Sequence, residues 1–523
     1  MKYYIQTLGC AMNYSDSERV ASVLEDIGYE RTAVPEETDL YIFNTCSIRQ
    51  KGEDRVYGQL RNVANWKKHN PRLMIGITGC MVRDTSSRNT EENKDDLLRR
   101  LEELDFVFRI NDTHRLPQIM EEAEPQLELP TVPSITETGA ATDYLKVAPK
   151  YTSDFQAFVP IQIGCDNYCT YCIVPYSRGR EKSRPFDEIV AECRALVEGG
   201  CKEITLVGQT VNSYGKSVTD QKAPDNEFAQ MDDPFVELLT QLDKLQELGL
   251  SRLRFTSPHP RDYSDALIEA HATLNTLTPH FHLPIQAGDD EVLQRMNRQY
   301  TLEHYAGLVD KIRKRVPDAS ITTDIIVGFC GETDEQFART EQAFKDLQWD
   351  MAYLARYSPR TGTTSVRAWQ DDVSRQEKAR RWHALNDILE KSSAAYHANM
   401  IGQTHEVLIE KYLPETAEYQ GRARNNKVVQ FPADPQAVKI ATAAAEKEAE
   451  ALRAQAQKAD AKTAEQQSAT KTSTALKVKG LPTETAIIEP VVKDPENLIG
   501  ELIHIKITSS QKWTVKGERT DSY

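Results

Sequence analysis

"FVPIQIGCDNYCTYCIVPYSRGREKSRP", residues 158–185, decides how this chain is read. An apolar run over 158–163 leads directly into Cys165, Cys169 and Cys172, spaced C-x3-C-x2-C, with no fourth cysteine close by. The run reads as a buried strand, so the thiols fall just past a strand end. Two metal readings stay open. One is a structural zinc with a remote fourth ligand. The other is a 4Fe–4S cube, which normally takes four thiolates and here would keep one iron open for a substrate.

Working outward, further strands are expected near 203–207, 252–256, 280–285, 320–327 and 351–355, with helical segments between them. Six βα units fit an open, partial TIM-like barrel better than a closed one of eight. The first strand then delivers the cysteines to the C-terminal mouth, where active sites of β/α barrels lie. An amphipathic helix over 374–400 leads out.

Upstream, strands at 2–8, 39–46, 72–80 and 105–110 alternate with helices at 16–29, 52–69 and 93–104, which implies a parallel sheet. Cys10, Cys46 and Cys80 each fall just past one of these strands. Strand C-termini of a parallel sheet share one edge, so these three thiols should converge. Residues 121–150, rich in Pro, Glu and Thr, read as a linker. Beyond residue 400 come β-type runs at 405–413, 427–431 and 502–508. The tract 433–496 has helix propensity without an apolar face and reads as a solvated insertion.

Composition sets the limits. The 523 residues allow roughly three domains. With 39% hydrophobic and 27% charged residues, a packed core is expected. The absence of an apolar run long enough for a membrane span, and of a signal-peptide core, points to a cytoplasmic protein with no membrane partner. In such a compartment the nine cysteines are expected to be buried, metal-bound or catalytic. A net charge of −15 argues against general avidity for nucleic acid but leaves room for a local basic patch.

With Tyr171 as the aromatic, C-x3-C-x-aromatic-C resembles the radical S-adenosylmethionine (SAM) motif. The resemblance implies that SAM chelates the open iron, that Tyr171 lies near the adenine, and that an electron from the cluster cleaves SAM to methionine and a 5′-deoxyadenosyl radical. "LGCAMNYSDSE" (8–18), "NTCSIRQKGEDRV" (44–56), "ITGCM" (77–81), "VGQTVNSYG" (207–215), "RFTSPHP" (254–260), "HLPIQAGDDEVLQRMNRQYT" (282–301) and "TDIIVGFCGETDEQF" (323–337) resemble the methylthiotransferase family. The likeness covers nearly the whole chain outside 433–496. It implies a second, auxiliary 4Fe–4S cluster on Cys10, Cys46 and Cys80, and catalysis by these three with Cys165, Cys169 and Cys172. It also implies SAM contacts from Tyr171, Gly208, Gln209, Ser257 and Gln286. Cys193, Cys201 and Cys330 match no motif and are expected to be ordinary buried residues. Cys330 stands where the family usually has proline.

Three branches of the family differ in substrate: an aspartate of a ribosomal protein, threonylcarbamoyl-adenosine in tRNA, and isopentenyl-adenosine next to the tRNA anticodon. The stretches around Cys10 and Cys46 are most similar to the last, MiaB-type, branch. They depart from it at Gln50-Lys51-Gly52. The target aromatic C–H bond has no useful acidity, so acid–base catalysis has little to act on and a radical is needed. The C-terminal stretches 421–431 and 498–518 resemble the TRAM domain, a small RNA-binding β-barrel. There Arg422, Arg424, Lys427, Lys512, Trp513 and Lys516 suit phosphate contact and base stacking.

The expected architecture is therefore α/β. It comprises an N-terminal parallel-sheet domain (1–120), a linker (121–150), a partial (βα)6 radical SAM barrel (151–400) and a TRAM-like β-barrel (401–523) interrupted at about 433–496. Expected partners are the tRNA anticodon stem-loop, an electron donor such as flavodoxin or ferredoxin, and a sulfur or cluster donor. The alternative is a non-catalytic iron–sulfur or zinc protein with an RNA-binding tail.

Overall fold

A computed structural model describes residues 1–46, 50–82, 101–127, 129, 144–222, 226–444, 447 and 494–520. The chain divides into two compact units, Met1–Ser393 and Ala394–Tyr523.

The first unit opens with a five-stranded parallel sheet. Its strands are β1 (Lys2–Leu8), β2 (Glu30–Arg31), β3 (Leu40–Thr45), β4 (Met74–Gly79) and β5 (Phe106–Val107), in the order β2-β1-β3-β4-β5. Both β3 and β4 are buried along their whole length, as strands covered on two faces must be. Helix α1 spans Ala11–Asp26 with Cys10 at its N-cap, so it starts earlier than the 16–29 expected from sequence. Propensity pointed to the Ser/Asp run, but Asn13 receives the Cys10 amide at 3.2 Å and starts the helix one turn sooner. The helix expected at 93–104 falls largely outside the described residues, and 101–104 is not helical. Within the stretch read as a linker, Tyr144, Leu145 and Val147 are buried in the core beneath α1.

The same unit carries six strands of a partial barrel in two parallel arcs. The first joins β6 (Gln156–Pro160), β9 (Glu203–Val207) and β10 (Arg252–Phe255). The second joins β11 (His280–His282), β12 (Ser320–Val327) and β13 (Met351–Arg356). A parallel bridge, Leu253–Leu277, links the arcs. Between β6 and β9 a short hairpin, β7 (Gln162–Ile163) with β8 (Lys182–Ser183), frames the cysteine loop.

Period-two alternation sorts the barrel side chains. Ile204, Leu206, Leu253, Phe255, Phe281, Leu283, Ile321 and Ile325 join the core shared with the surrounding helices. The intervening residues turn to the lumen, which is polar. On the first arc this face is sealed: buried Glu203 accepts from buried Arg254 Nε at 2.9 Å and from half-buried Gln156 Nε2 at 3.1 Å. Phe158 and Val207 on the same face pack into the core that includes α1 residues. Cys193, Cys201 and Cys330 are buried, as expected of unassigned thiols.

The second unit is a closed five-stranded barrel of β14 (Thr404–Leu413), β15 (Glu418–Ala423), β16 (Val428–Pro432), β17 (Leu502–Ser510) and β18 (Val515–Arg519), ordered β14-β15-β16-β18-β17. Residues 435–444 of the long tract are helical; most of its remainder lies outside the described residues. Its ends are anchored. Asp494 receives the amides of Leu498 and Ile499, each at 2.9 Å, and Glu496 pairs with Arg519.

Several cations expected to face RNA are engaged within this barrel. Arg422 pairs with Glu410, Lys516 with Glu418, and Lys427 is buried over the Tyr396 ring at 4.3 Å. Sequence spacing shows a cation but not the carboxylate it meets, on the neighbouring strand for Arg422 and two strands away for Lys516. Trp513 remains exposed, with Lys512 Nζ 5.8 Å from its ring centre.

Candidate active site at the barrel mouth

The parallel register places the first three cysteines. Leu8 pairs with Thr45, and Thr45 with Gly79, so three adjacent strands end together. Cys10, Cys46 and Cys80 follow at that edge. The Cys80 amide donates to Thr45 O at 2.8 Å. A buried amide latch holds the loop of Cys10 to the strand of Cys46. Asn13 Nδ2 donates to Asn44 Oδ1 at 2.9 Å and to Thr45 O at 3.1 Å, while Asn44 Nδ2 returns a bond to Asn13 O at 2.7 Å.

Gly79 is required at this edge. Its φ is +92°, and a Cβ there would stand 2.3 Å from Thr45 O. Gly79→Ala is therefore expected to destabilise the first unit by about 3 kcal/mol, from left-handed strain plus a backbone clash. The check is the urea midpoint of the cluster-free protein.

The second triplet sits on the loop after β7. Gly164 begins it with φ +81°, and a side chain there would strike Arg180 O at 2.1 Å. Cys165 is buried; Cys169 and Cys172 are half-buried. Cys165 Sγ lies 3.2 Å from Thr210 Oγ1, and Arg298 Nη1 lies 3.5 Å from Cys169 Sγ. Arg298 is fixed by Pro284 O at 2.6 Å and Tyr300 Oη at 2.7 Å. Burial, then repulsion among the three sulfurs, pushes the Cys172 thiol far above its usual range, and burial raises Cys165. Left alone, these are neutral thiols. A cationic metal centre bound there would reverse that preference and make them thiolates.

Around this loop the backbone is held in unusual conformations. Tyr168, Ser257, Gln286 and Asn297 all have positive φ, at 47°, 61°, 78° and 58°. Left-handed non-glycine residues concentrate where a ligand must be held. Side chains here also lack partners. Gln162 is fully buried, yet neither its Nε2 nor its Oε1 has a hydrogen bond among the described residues; Gln209 Oε1 is likewise unpaired. Gly208 lies beneath them, with room for no Cβ because Gln162 Cγ would be 2.7 Å away. Buried amides without partners fit a site built for a polar ligand.

Tyr171 packs half-buried against the barrel core. Of the residues singled out from sequence, Gly208, Gln209 and the three cysteines thus fall in one neighbourhood. Thr210, Arg298 and Gln162 were missed. Each lies within or beside a quoted stretch, but only the fold shows that it faces the sulfurs or the amides.

Two family patterns match the chain: the Radical SAM superfamily over residues 159–344 and the uncharacterized protein family UPF0004 over residues 2–100. A tRNA-2-methylthio-N(6)-dimethylallyladenosine synthase from a Thermoanaerobacter species is 40% identical over 433 residues, covering 83% of this chain and 87% of that protein. The protein of that name from Geobacillus kaustophilus is 40% identical, covering 82% and 77%. That from Bacillus licheniformis is 39% identical, covering 84% and 82%. The chain belongs to the radical SAM methylthiotransferase family.

As a radical SAM methylthiotransferase it uses a 4Fe–4S cluster and SAM. The donor set at the mouth fits that pair: three thiols on one loop, and unpaired amides close beside it. Among the described residues no three His, Cys, Asp or Glu side chains gather tightly enough for a single ion. A cube holds its thiolates at separate corners, wider apart than one tetrahedral ion would.

Glu181 of the methylthiotransferase carries a pH signature. It is buried, accepts from Ser213 Oγ at 2.5 Å, and is pushed up to about 7, by burial first and by Asp166 and Asp220 next. Its folded-state value exceeds its unfolded one. Its contribution is therefore complete below about pH 4.5 and is lost as pH rises through about 7. The loss is on the order of 3 kcal/mol. Glu181→Gln should flatten this slope in the cluster-free protein, read as urea midpoints at acid and alkaline pH.

Proposed function

We propose that this methylthiotransferase adds a methylthio group to the adenine ring of isopentenyl-adenosine next to the anticodon of tRNA. The observation that carries the reading is identity of about 40% over more than four-fifths of the chain to synthases named for that product. The two sets of three cysteines, on a parallel-sheet edge and at a barrel mouth, supply the equipment such a reaction needs.

In this reading Cys165, Cys169 and Cys172 hold the SAM-binding cluster, and Cys10, Cys46 and Cys80 hold an auxiliary one. When bound, the two clusters supply the electron that cleaves SAM and the sulfur that is transferred. The chain's own residues orient and exclude water. Tyr171, Gly208, Gln209, Ser257 and Gln286 surround SAM, with Gln162 offering its unpaired amide. Arg298, fixed from three sides, keeps a positive charge beside Cys169. Thr210 donates toward Cys165 and orients its sulfur.

The closed C-terminal barrel presents Trp513 and Lys512 as a stacking and phosphate-contact pair for the RNA. An electron donor such as flavodoxin or ferredoxin and a sulfur or cluster donor complete the cycle, in the cytoplasm with the tRNA. Among the described residues no helix is long and apolar enough to cross a membrane.

The test is nucleoside mass spectrometry of tRNA from cells lacking the gene. Loss of 2-methylthio-isopentenyl-adenosine supports the reading. Unchanged levels of that nucleoside, with loss of a methylthio-aspartate on a ribosomal protein, would move the enzyme to another branch.

A further inference from the structure

The lumen of the partial barrel is sealed on one arc and open on the other. Glu203, Thr205, Arg252 and Arg254 are all buried on the first arc. On the second, Asp324 and Tyr353 face the lumen at paired register positions of β12 and β13, and both are more than a third exposed. His282 on β11 completes the group. Its Nε2 lies 3.3 Å from Asp324 Oδ2 and its Nδ1 3.0 Å from Thr322 Oγ1. Its ring stands edge-on to Tyr353 at 6.0 Å. Thr322 Oγ1 donates to Phe281 O at 3.4 Å and lies 3.2 Å from His280 Nε2, so one hydroxyl anchors both histidine rings. Asp324 is held against His282 by one oxygen, Oδ2. Oδ1 has no protein partner among the described residues.

A fixed carboxylate with one oxygen to spare, next to an exposed aromatic ring, matches how proteins take an unstacked base: stacking on one face, hydrogen bonds along its Watson–Crick or Hoogsteen edge. The proposed substrate places a matching donor there. An N6-alkylated adenine keeps one N6–H, which points along the N7 edge because the alkyl group takes the N1 side, and holding that N–H leaves the C2–H free on the opposite side of the ring.

Resting on the substrate reading above, we propose that Asp324, positioned by His282, accepts the remaining N6–H of the adenine while Tyr353 stacks on the ring. Gripping the base by N6 fixes where C2 points. This makes Asp324 a specificity-determining residue for an N6-monoalkylated purine.

The test compares wild type with Asp324→Asn on a synthetic anticodon stem-loop bearing isopentenyl-adenosine, and on the same RNA with N6 also methylated. The second substrate has no N6–H. Loss of a hydrogen bond to a charged acceptor is expected to lower kcat/KM roughly 10- to 100-fold. Wild type should lose that factor on the methylated RNA, Asp324→Asn should lose it on the normal RNA, and the two losses should not multiply.

Tyr353→Phe should be near wild type, and Tyr353→Ala should raise KM about tenfold or more through lost stacking. Asp324→Asn within twofold of wild type on the normal RNA, or losses that multiply, would overturn the inference. Wild type making no methylthio product on the normal RNA would instead overturn the substrate reading, so the two failures are distinct.

Discussion

Replacing Cys169 with Ala is expected to abolish SAM cleavage, with 5′-deoxyadenosine falling to the no-enzyme background under dithionite. The same holds for Cys165→Ala and Cys172→Ala. The loop offers these three thiols and no substitute: Cys193, Cys201 and Cys330 are all buried in the packed barrel. The polar side chains against these sulfurs are a hydroxyl, Thr210, an amide, Asn167, and a cation, Arg298, none of which replaces a thiolate on iron. Because Cys169 is half-buried on a loop, its truncation leaves little cavity, so loss of activity with an unchanged urea midpoint separates lost ligation from lost folding. Wild-type rates of 5′-deoxyadenosine release in any one of the three variants would contradict the assignment.

The second large effect belongs to the other triad. Changing Cys10, Cys46 and Cys80 together to Ala should halve the bound iron, from about eight to about four per chain by cube stoichiometry. SAM cleavage should survive, because the barrel mouth has its own ligands and its own core. The methylthio product should vanish. The variant should also fold. The edge is set by strand register and by the Asn13–Asn44 latch, neither of which uses a thiol side chain as its main support. Unchanged iron content would mean that these cysteines are plain core residues; methylthio-adenosine still forming in tRNA would mean that sulfur comes from elsewhere.

Much of this was legible in the sequence because strands write themselves in apolar runs. "DLYIFNTC" and "RLMIGITGC" end at their cysteines, and the structure ends β3 and β4 one residue before each. What stayed hidden was contact across the chain. Arg298 lies more than a hundred residues after Cys169, and no spacing rule connects them. Gln162 reads as one polar residue in a strand until its two amide atoms are found buried and unpaired. Arg422 and Lys516 read from sequence as RNA-facing cations, and only the fold shows that Glu410 and Glu418 pair with them. The early start of α1 was missed for a smaller reason: Asn13 acts as a reciprocal cap, a role that propensity does not reveal.

The register that ends β1, β3 and β4 together has one more implication. If Cys10, Cys46 and Cys80 hold an auxiliary cluster as proposed, three ligands borne on adjacent strands pay their ordering entropy when the sheet folds, before any iron arrives. Binding then gains the advantage that a rigid multidentate chelator has over a floppy one. It also uncouples the life of the fold from the life of the metal, unlike small metal-nucleated domains that unravel when stripped. If oxygen destroys the inorganic core, the empty scaffold keeps its shape, and reloading it needs iron and sulfide but no refolding.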